Sequence, residues 1–161
     1  MPNDTKLIQL GPGEGGAFSA VGDVYRNLAS GRHTGGAYTL HEIRVSPNNG
    51  SPPHIHSRED ESFFVLESKV DFQVGDEKIT ARPGTFIQGP RGLAHGFKNN
   101  TQLPARMLVF ITPAGFENFI KEFAQPVASF DSPAIPASKD EVDKLLAAAP
   151  KYGLQILSPN K

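Results

Sequence analysis

An all-β body finished by short helices is the fold predicted by this sequence, on three observations. Short runs rich in β-branched and aromatic residues recur along most of the chain. Sixteen glycines and fourteen prolines separate those runs instead of gathering in one linker, the pattern expected of tight turns. Helical spacing of apolar residues enters only toward the C-terminal end. A chain of 161 residues fits one domain and can bury roughly two thirds of its unfolded surface, so it needs no covalent staple.

Taken in order, residues 6–10, 23–28 and 37–45 read as β-rich pieces, the last interrupted by the polar pair His41 and Glu42. Residues 62–67 are dense in β-formers. In the next piece Val70, Phe72 and Val74 alternate with Lys69, Asp71 and Gln73, so one face of that strand meets the core. Gly75-Asp76-Glu77 predicts a hairpin turn into residues 78–81, and Arg82-Pro83-Gly84 a second turn into residues 85–88. Gly89-Pro90-Arg91-Gly92 turns the chain again ahead of strands at residues 95–98 and 107–112. Short strands at this rhythm make a barrel or a sandwich.

The period then changes. Phe116, Phe119, Ile120 and Phe123 fall at i, i+3, i+4 and i+7, one face of a short helix expected to pack outside the barrel or on a partner subunit. A proline-spotted connector, residues 125–136, has too little periodicity for any element. Ser138 with Glu141 is a capping-box signal, and Val142, Leu145, Leu146 and Ala149 continue a second helix until Pro150. Gly153 suits a stop, and residues 154–157 suit either a short edge strand or a segment that simply packs down.

Composition narrows the chemistry. The absence of cysteine removes disulfides, thiolate metal sites and cysteine nucleophiles, so any metal is held by nitrogen and oxygen. Sixteen Lys and Arg against seventeen Asp and Glu give a net charge of −1, with no basic run to track a phosphate backbone, so no nucleic-acid partner is expected. Residues 1–6 lack an apolar signal core, and the longest uncharged apolar stretch, residues 107–116, is too short to span a bilayer. A cytoplasmic protein without a membrane partner is the expectation.

The chemistry-bearing residues lie in two separated segments. In an extended strand side chains alternate faces, so His54 and His56 point the same way and form a two-imidazole pincer. The polar turn Ser57-Arg58-Glu59-Asp60 brings the next strand back, headed by Glu61, with Asp60 as the rival ligand on the opposite face. About thirty residues on, glycines and a proline force a tight turn just before His95, a third imidazole from a separate strand. Two histidines and a carboxylate make half of an octahedral shell suited to Fe, Mn, Co, Ni or Cu. His41 lies on a strand that could line the same cavity, but it and His33 are read as surface or structural histidines and left out of the metal shell. Phe63, Val65 and Phe97, which share faces with ligands, are the candidates for a substrate-pocket wall.

Together the two segments resemble the motifs of the cupin superfamily, G(X)5HXH(X)3–4E(X)6G and G(X)5PXG(X)2H(X)3N. The second is matched at Gly84, Pro90, Gly92, His95 and Asn99. In the first, His54, His56 and Glu61 fit, while Asn48 and Ser68 stand where glycines belong, which predicts a strained turn at Ser68. The resemblance implies a single jelly-roll β-barrel over residues 37–113, with residues 1–36 supplying strands that complete or extend it and residues 114–161 a helical extension packed outside. It also implies one divalent transition metal ion (Fe, Mn, Ni, Co, Cu or Zn) on His54, His56, Glu61 and His95.

The runs Thr34-Gly35-Gly36-Ala37-Tyr38, Pro52-Pro53, Ser57-Arg58-Glu59-Asp60-Glu61 and Pro113-Ala114-Gly115-Phe116-Glu117 are similar to single-domain bacterial cupins grouped with quercetin 2,3-dioxygenase. That likeness implies dioxygenase chemistry on a small enolic or phenolic, flavonol-like substrate, with dioxygen as co-substrate and Glu61 as the catalytic base. A non-oxidative isomerase or lyase and a non-catalytic small-molecule-binding module are the alternatives. Pairing into a homodimer through the N-terminal strand and the Phe-rich helix is expected.

Overall fold

The computed structural model describes residues 6–157; residues 1–5, on which most of the leader expectation rests, and residues 158–161 lie outside the described residues. Among the described residues, no helix is long and apolar enough to cross a membrane.

Two antiparallel sheets carry the fold. In chain order the strands are β1 (Ala17–Ala20), β2 (Asp23–Ala29), β3 (Thr39–Val45), β4 (Gly50–His56), β5 (Asp60–Glu67), β6 (Val70–Val74), β7 (Glu77–Ala81), β8 (Phe86–Gly89), β9 (His95–Lys98), β10 (Ala105–Thr112), β11 (Gln125–Pro126) and β12 (Leu154–Ile156). The first sheet runs β11-β1-β2-β3-β10-β5-β8 and the second β12-β4-β9-β6-β7. The expected jelly roll is therefore present, but as two facing sheets rather than one continuously closed barrel.

Alternation drives the packing. Ile43 and Val45 from β3, Phe63 and Val65 from β5, and Met107, Val109 and Ile111 from β10 meet Val70, Phe72, Ala81 and Phe97 of the opposite sheet in one buried cluster. Phe63 sits at its centre, 5.0 Å from the Phe72 ring and 5.8 Å from the Phe97 ring. Each such aromatic contributes about 1.5–3 kcal/mol by leaving water.

The polar interruption at Glu42 has a physical explanation. Glu42 points to the outer face of β3, where Arg26 Nε (2.6 Å) and Arg106 Nε (2.9 Å) donate to its carboxylate from the flanking strands. The Arg26 guanidinium lies 5.5 Å from the Phe130 ring centre, and Arg44 donates to the carbonyls of Phe130 and Ser132. The proline-spotted connector is thus held against the outside of the first sheet.

Several expectations change. Residues 6–10 form no strand; the free edge of β1 is taken instead by the two-residue β11 from within the connector. A short helix, α1 (Gly31–Thr34), joins β2 to β3. The apolar stripe after β10 forms α2 (Phe116–Lys121), and the capping signal at Ser138 opens α3 (Lys139–Ala148), where the Ser138 hydroxyl accepts from the Glu141 amide at 3.1 Å. Pro150 does not end the helical run. It sits in the first turn of a 3₁₀ segment, Ala149–Tyr152, where its missing N–H costs nothing. Gly153 then takes a left-handed φ of 74° and leads into β12, which pairs with β4.

The two positions where glycine was expected keep the backbone that glycine would serve. Asn48 and Ser68 both have φ of 60°. Ser68 therefore holds a left-handed turn at the cost of Cβ crowding, of order 1 kcal/mol.

Candidate metal centre

His54, His56, Glu61 and His95 converge between the two sheets. β4 supplies the pincer, and its register with β9 places His95 directly opposite His54 after an irregularity between Ser51 and His54. Glu61 comes from β5 in the other sheet. Their ligand atoms lie within 4.8 Å of one another, and all four residues are buried. The tight turn before β9 works as expected: Gly92 has φ of 80° and its amide donates to the His56 carbonyl at 2.8 Å. Gly89 must lack a side chain for a different reason, since a Cβ there would fall 2.7 Å from the His95 ring.

The hydrogen bonds orient each imidazole. His54 Nδ1 faces the Pro52 carbonyl at 2.9 Å, His95 Nδ1 the Leu93 carbonyl at 3.0 Å, and His56 Nδ1 the Glu59 carboxylate at 3.2 Å. With the Nδ1 atoms so engaged, Nε2 is the nitrogen by which each ring can reach an ion. The three Nε2 atoms lie 3.2, 3.1 and 2.8 Å from Glu61 Oε2 for His54, His56 and His95. His56 Nε2, despite that distance, has no partner in hydrogen-bond geometry. Three imidazole nitrogens and a carboxylate oxygen held this close are able to hold a cation among them, and the set of imidazoles plus carboxylate suits a divalent transition ion.

Electrostatics agree with the geometry. Burial disfavours a charged His56, but the hydrogen bond to Glu59 and the nearby Glu61 carboxylate outweigh it and raise its pKa to about 9, so at neutral pH the ring carries a proton that an incoming ion would displace. Burial would raise the Glu61 carboxyl; the hydrogen-bonded His54 and His95 rings and the charge of His56 instead hold it well below the usual carboxylate range. Asp60, the rival ligand, is turned away. The Arg91 amide and guanidinium donate to it, at 2.9 Å for the amide, and hold its pKa down.

A cavity of about 220 Å³ adjoins the cluster, touching His54 and Glu61. Of the three residues named as candidates for a pocket wall, Phe97 lines this cavity, while Phe63 and Val65 pack in the core behind the histidines, with Phe63 6.1 Å from the His95 ring. The larger part of the wall comes from elements expected to pack elsewhere. Phe116, Phe119, Ile120 and Phe123 of the α2 region and Leu145 and Leu146 of α3 face the cavity, so the helices sit outside the sheets yet close one open end with their apolar stripes. Glu117 anchors this cover by accepting from the amides of Gly31 (2.7 Å) and Gly115 (2.9 Å) and from the Thr39 hydroxyl. A second, more open groove of about 680 Å³ along β4, β9, β6 and β7 touches none of the four cluster residues.

Two residues go beyond the sequence reading. Glu59 orients His56; its spacing of two from Glu61 puts both carboxylates on one side of an extended segment, the same signal that identified the pincer. His41, expected to be a surface or structural histidine, is 1% exposed and lines the cavity. Its alternation with Ile43 and Val45, both core residues, is the signal for that inward face.

Comparison with known proteins follows the same outline. Residues 41–111 match the family model for the cupin domain. A probable germin-like protein, subfamily 2 member 5, of Arabidopsis thaliana is 31% identical over 117 residues, 70% of this chain and 46% of that protein. Quercetin 2,3-dioxygenase of Bacillus subtilis (strain 168) is 24% identical over 98 residues, 61% of this chain and 29% of that protein. The chain thus spans less than half the length of these curated relatives. Among solved structures, a predicted oxalate decarboxylase from Thermotoga maritima superposes with a TM-score of 0.59 at 14% identity, covering 67% of this chain and 99% of that one. KdgF from Halomonas sp. superposes with a TM-score of 0.56 at 16% identity, covering 63% and 89%. At such identities these two structures show the shared fold.

Proposed function

Because this chain belongs to the cupin superfamily, we propose that it is a metal-dependent oxidoreductase of dioxygenase type, acting on a small enolic or phenolic, flavonol-like substrate. The observation that carries the reading is a buried set of three imidazoles and one carboxylate at the end of a largely apolar cavity. The likeness to a quercetin 2,3-dioxygenase supports the choice of substrate class. His54, His56, Glu61 and His95 would hold a divalent transition ion, which when bound would supply Lewis acidity toward an enol oxygen and, if redox-active, electron transfer to dioxygen.

The chain's own residues have separable tasks. His54, His56 and His95 are fixed in orientation through Nδ1, so their Nε2 atoms hold position without rearrangement. The Glu61 oxygen that the histidines approach is Oε2, which leaves Oε1 to accept the proton of a substrate hydroxyl. A carboxyl held at low pKa is a weak base, so it suits a hydroxyl already acidified, as an enol or phenol on a cation is. Phe97, Phe116 and Phe119 exclude water from the bound ring system.

Aerobic incubation of protein loaded in turn with each of the six metals tests the reading. With quercetin, oxygen uptake and carbon monoxide release are expected, and both are lost in Glu61→Gln. No oxygen uptake with any metal overturns the proposal, and equal turnover under argon transfers the site to isomerase or lyase chemistry.

A further inference from the structure

His41 is placed on the same inward face as the metal cluster but apart from it. In the register of the first sheet His41 pairs with Val109 and Val109 with Phe63, while Thr39 pairs with Ile111 and Ile111 with Glu61. His41 is therefore two strands across and two residues along from Glu61, on the order of 10 Å away between backbones. The ring is held edge-on by Phe18 (5.8 Å, 84°) and Tyr25 (6.2 Å, 88°), and it borders the same cavity as His54 and Glu61.

Both ring nitrogens of His41 are buried and neither makes a hydrogen bond of full geometry among the described residues; the Arg26 backbone comes near enough to favour the protonated ring without satisfying either nitrogen. Leaving a polar group unpaired in a dry site is unfavourable, and a cavity-facing orphan is satisfied by whatever polar group enters. Burial pushes the His41 pKa down to about 4, against smaller opposing effects of Glu117, Glu61 and the Arg26 backbone. At neutral pH the ring is therefore uncharged and offers one donor and one acceptor. The walls between His41 and the cluster are mostly apolar, including Tyr25, Ile43, Phe97, Val109, Phe116 and Phe119.

Resting on the reading of this cavity as the substrate pocket, we infer that His41 is a ligand-binding residue that hydrogen-bonds a hydroxyl or carbonyl on the end of a planar aromatic molecule remote from the metal cluster. An entirely apolar ligand leaves the imidazole unpaired and is rejected, whereas one with a single polar group at that end is selected. A site built to pair with a hydroxyl discriminates against the analogue lacking it more sharply than apolar contact discriminates by size.

The test uses chelator-treated protein without added metal, so that it stands or falls separately from the oxidative reaction. The probes are 2-naphthol and naphthalene, which differ by one hydroxyl, with binding read by probe fluorescence or calorimetry. Wild type is expected to bind 2-naphthol about tenfold more tightly than naphthalene, the effect of one hydrogen bond. The preference disappears in His41→Leu and returns in His41→Gln, which keeps a donor and an acceptor. In wild type alone, the His41 ring nitrogen resonances shift on addition of 2-naphthol and stay fixed with naphthalene, a readout that needs no variant. A preference that survives His41→Leu, a wild type that binds the two probes equally, or one that binds neither, overturns the inference.

Discussion

Replacing His41 by leucine makes the acid sensitivity of the fold measurable at one residue. The buried imidazole refuses a proton until about pH 4, whereas the unfolded chain takes one at its ordinary value of 6.5. Between those values the unfolded state binds more protons, so stability present above pH 6.5 is lost as the pH falls toward 4. The gap of 2.5 units, at 1.36 kcal/mol each, corresponds to about 3 kcal/mol in full and about 2 kcal/mol by pH 5. Asp23 acts in the opposite sense. Burial raises its carboxyl from 3.8 to about 6, against hydrogen bonds from Asn49 and Ser46, so its stabilising contribution is complete below 3.8 and is lost as pH rises through 6. The two trends overlap, and the wild-type curve by itself mixes them. Subtracting the urea unfolding free energy of wild type from that of His41→Leu at pH 7.5, 6 and 5 isolates the imidazole. The difference should move in favour of the leucine variant by about 2 kcal/mol between pH 7.5 and 5. A difference that stays constant across that range refutes the assignment of His41 as buried and neutral.

The other predictions concern the cluster and its supports. Glu59→Gln should weaken metal binding about 10–100-fold, measured by competition with a chromophoric chelator, because it alters only the group that orients His56. Gly89→Ala changes no ligand, yet its Cβ would fall against the His95 ring, so metal content after dialysis against a weak chelator should drop at least about tenfold. Ser68→Gly should raise the unfolding free energy by about 0.5–1 kcal/mol, since glycine relieves the left-handed turn and gives back part of the gain through a freer unfolded chain. Glu42→Ala should lower stability by about 2–3 kcal/mol in urea titrations, less than for a fully buried pair because Arg106 keeps a third of its surface in water.

The four residues of the cluster were legible because their arrangement is local in each half. Spacing two in a strand puts His54 and His56 on one face whatever the rest of the chain does, and the glycines and proline before His95 dictate a turn through backbone sterics alone. Alternation likewise identified β6, and the capping pair Ser138 and Glu141 identified the start of α3. What was not legible shares a cause in pairing at a distance. Residues 6–10 have strand-like composition, but strand formation needs a free edge, and β11 occupies the one at β1. Phe63 and Val65 carry the correct parity for the pocket, yet which stretch of an inward face is core and which is cavity depends on what stands opposite.

By itself, then, the order of residues determined the fold class, the turns and the four side chains able to hold an ion, all set by interactions within a few residues along the chain. Tertiary structure alone decided that the sheets stay open, that the apolar stripes of α2 and α3 close the cavity, that the Glu59 carboxylate meets His56 Nδ1, and that no side chain pairs with the inward-facing His41. Those outcomes rest on contacts between segments far apart in sequence. Burial and hydrogen-bond satisfaction are properties of a residue's surroundings in space, which no local pattern records.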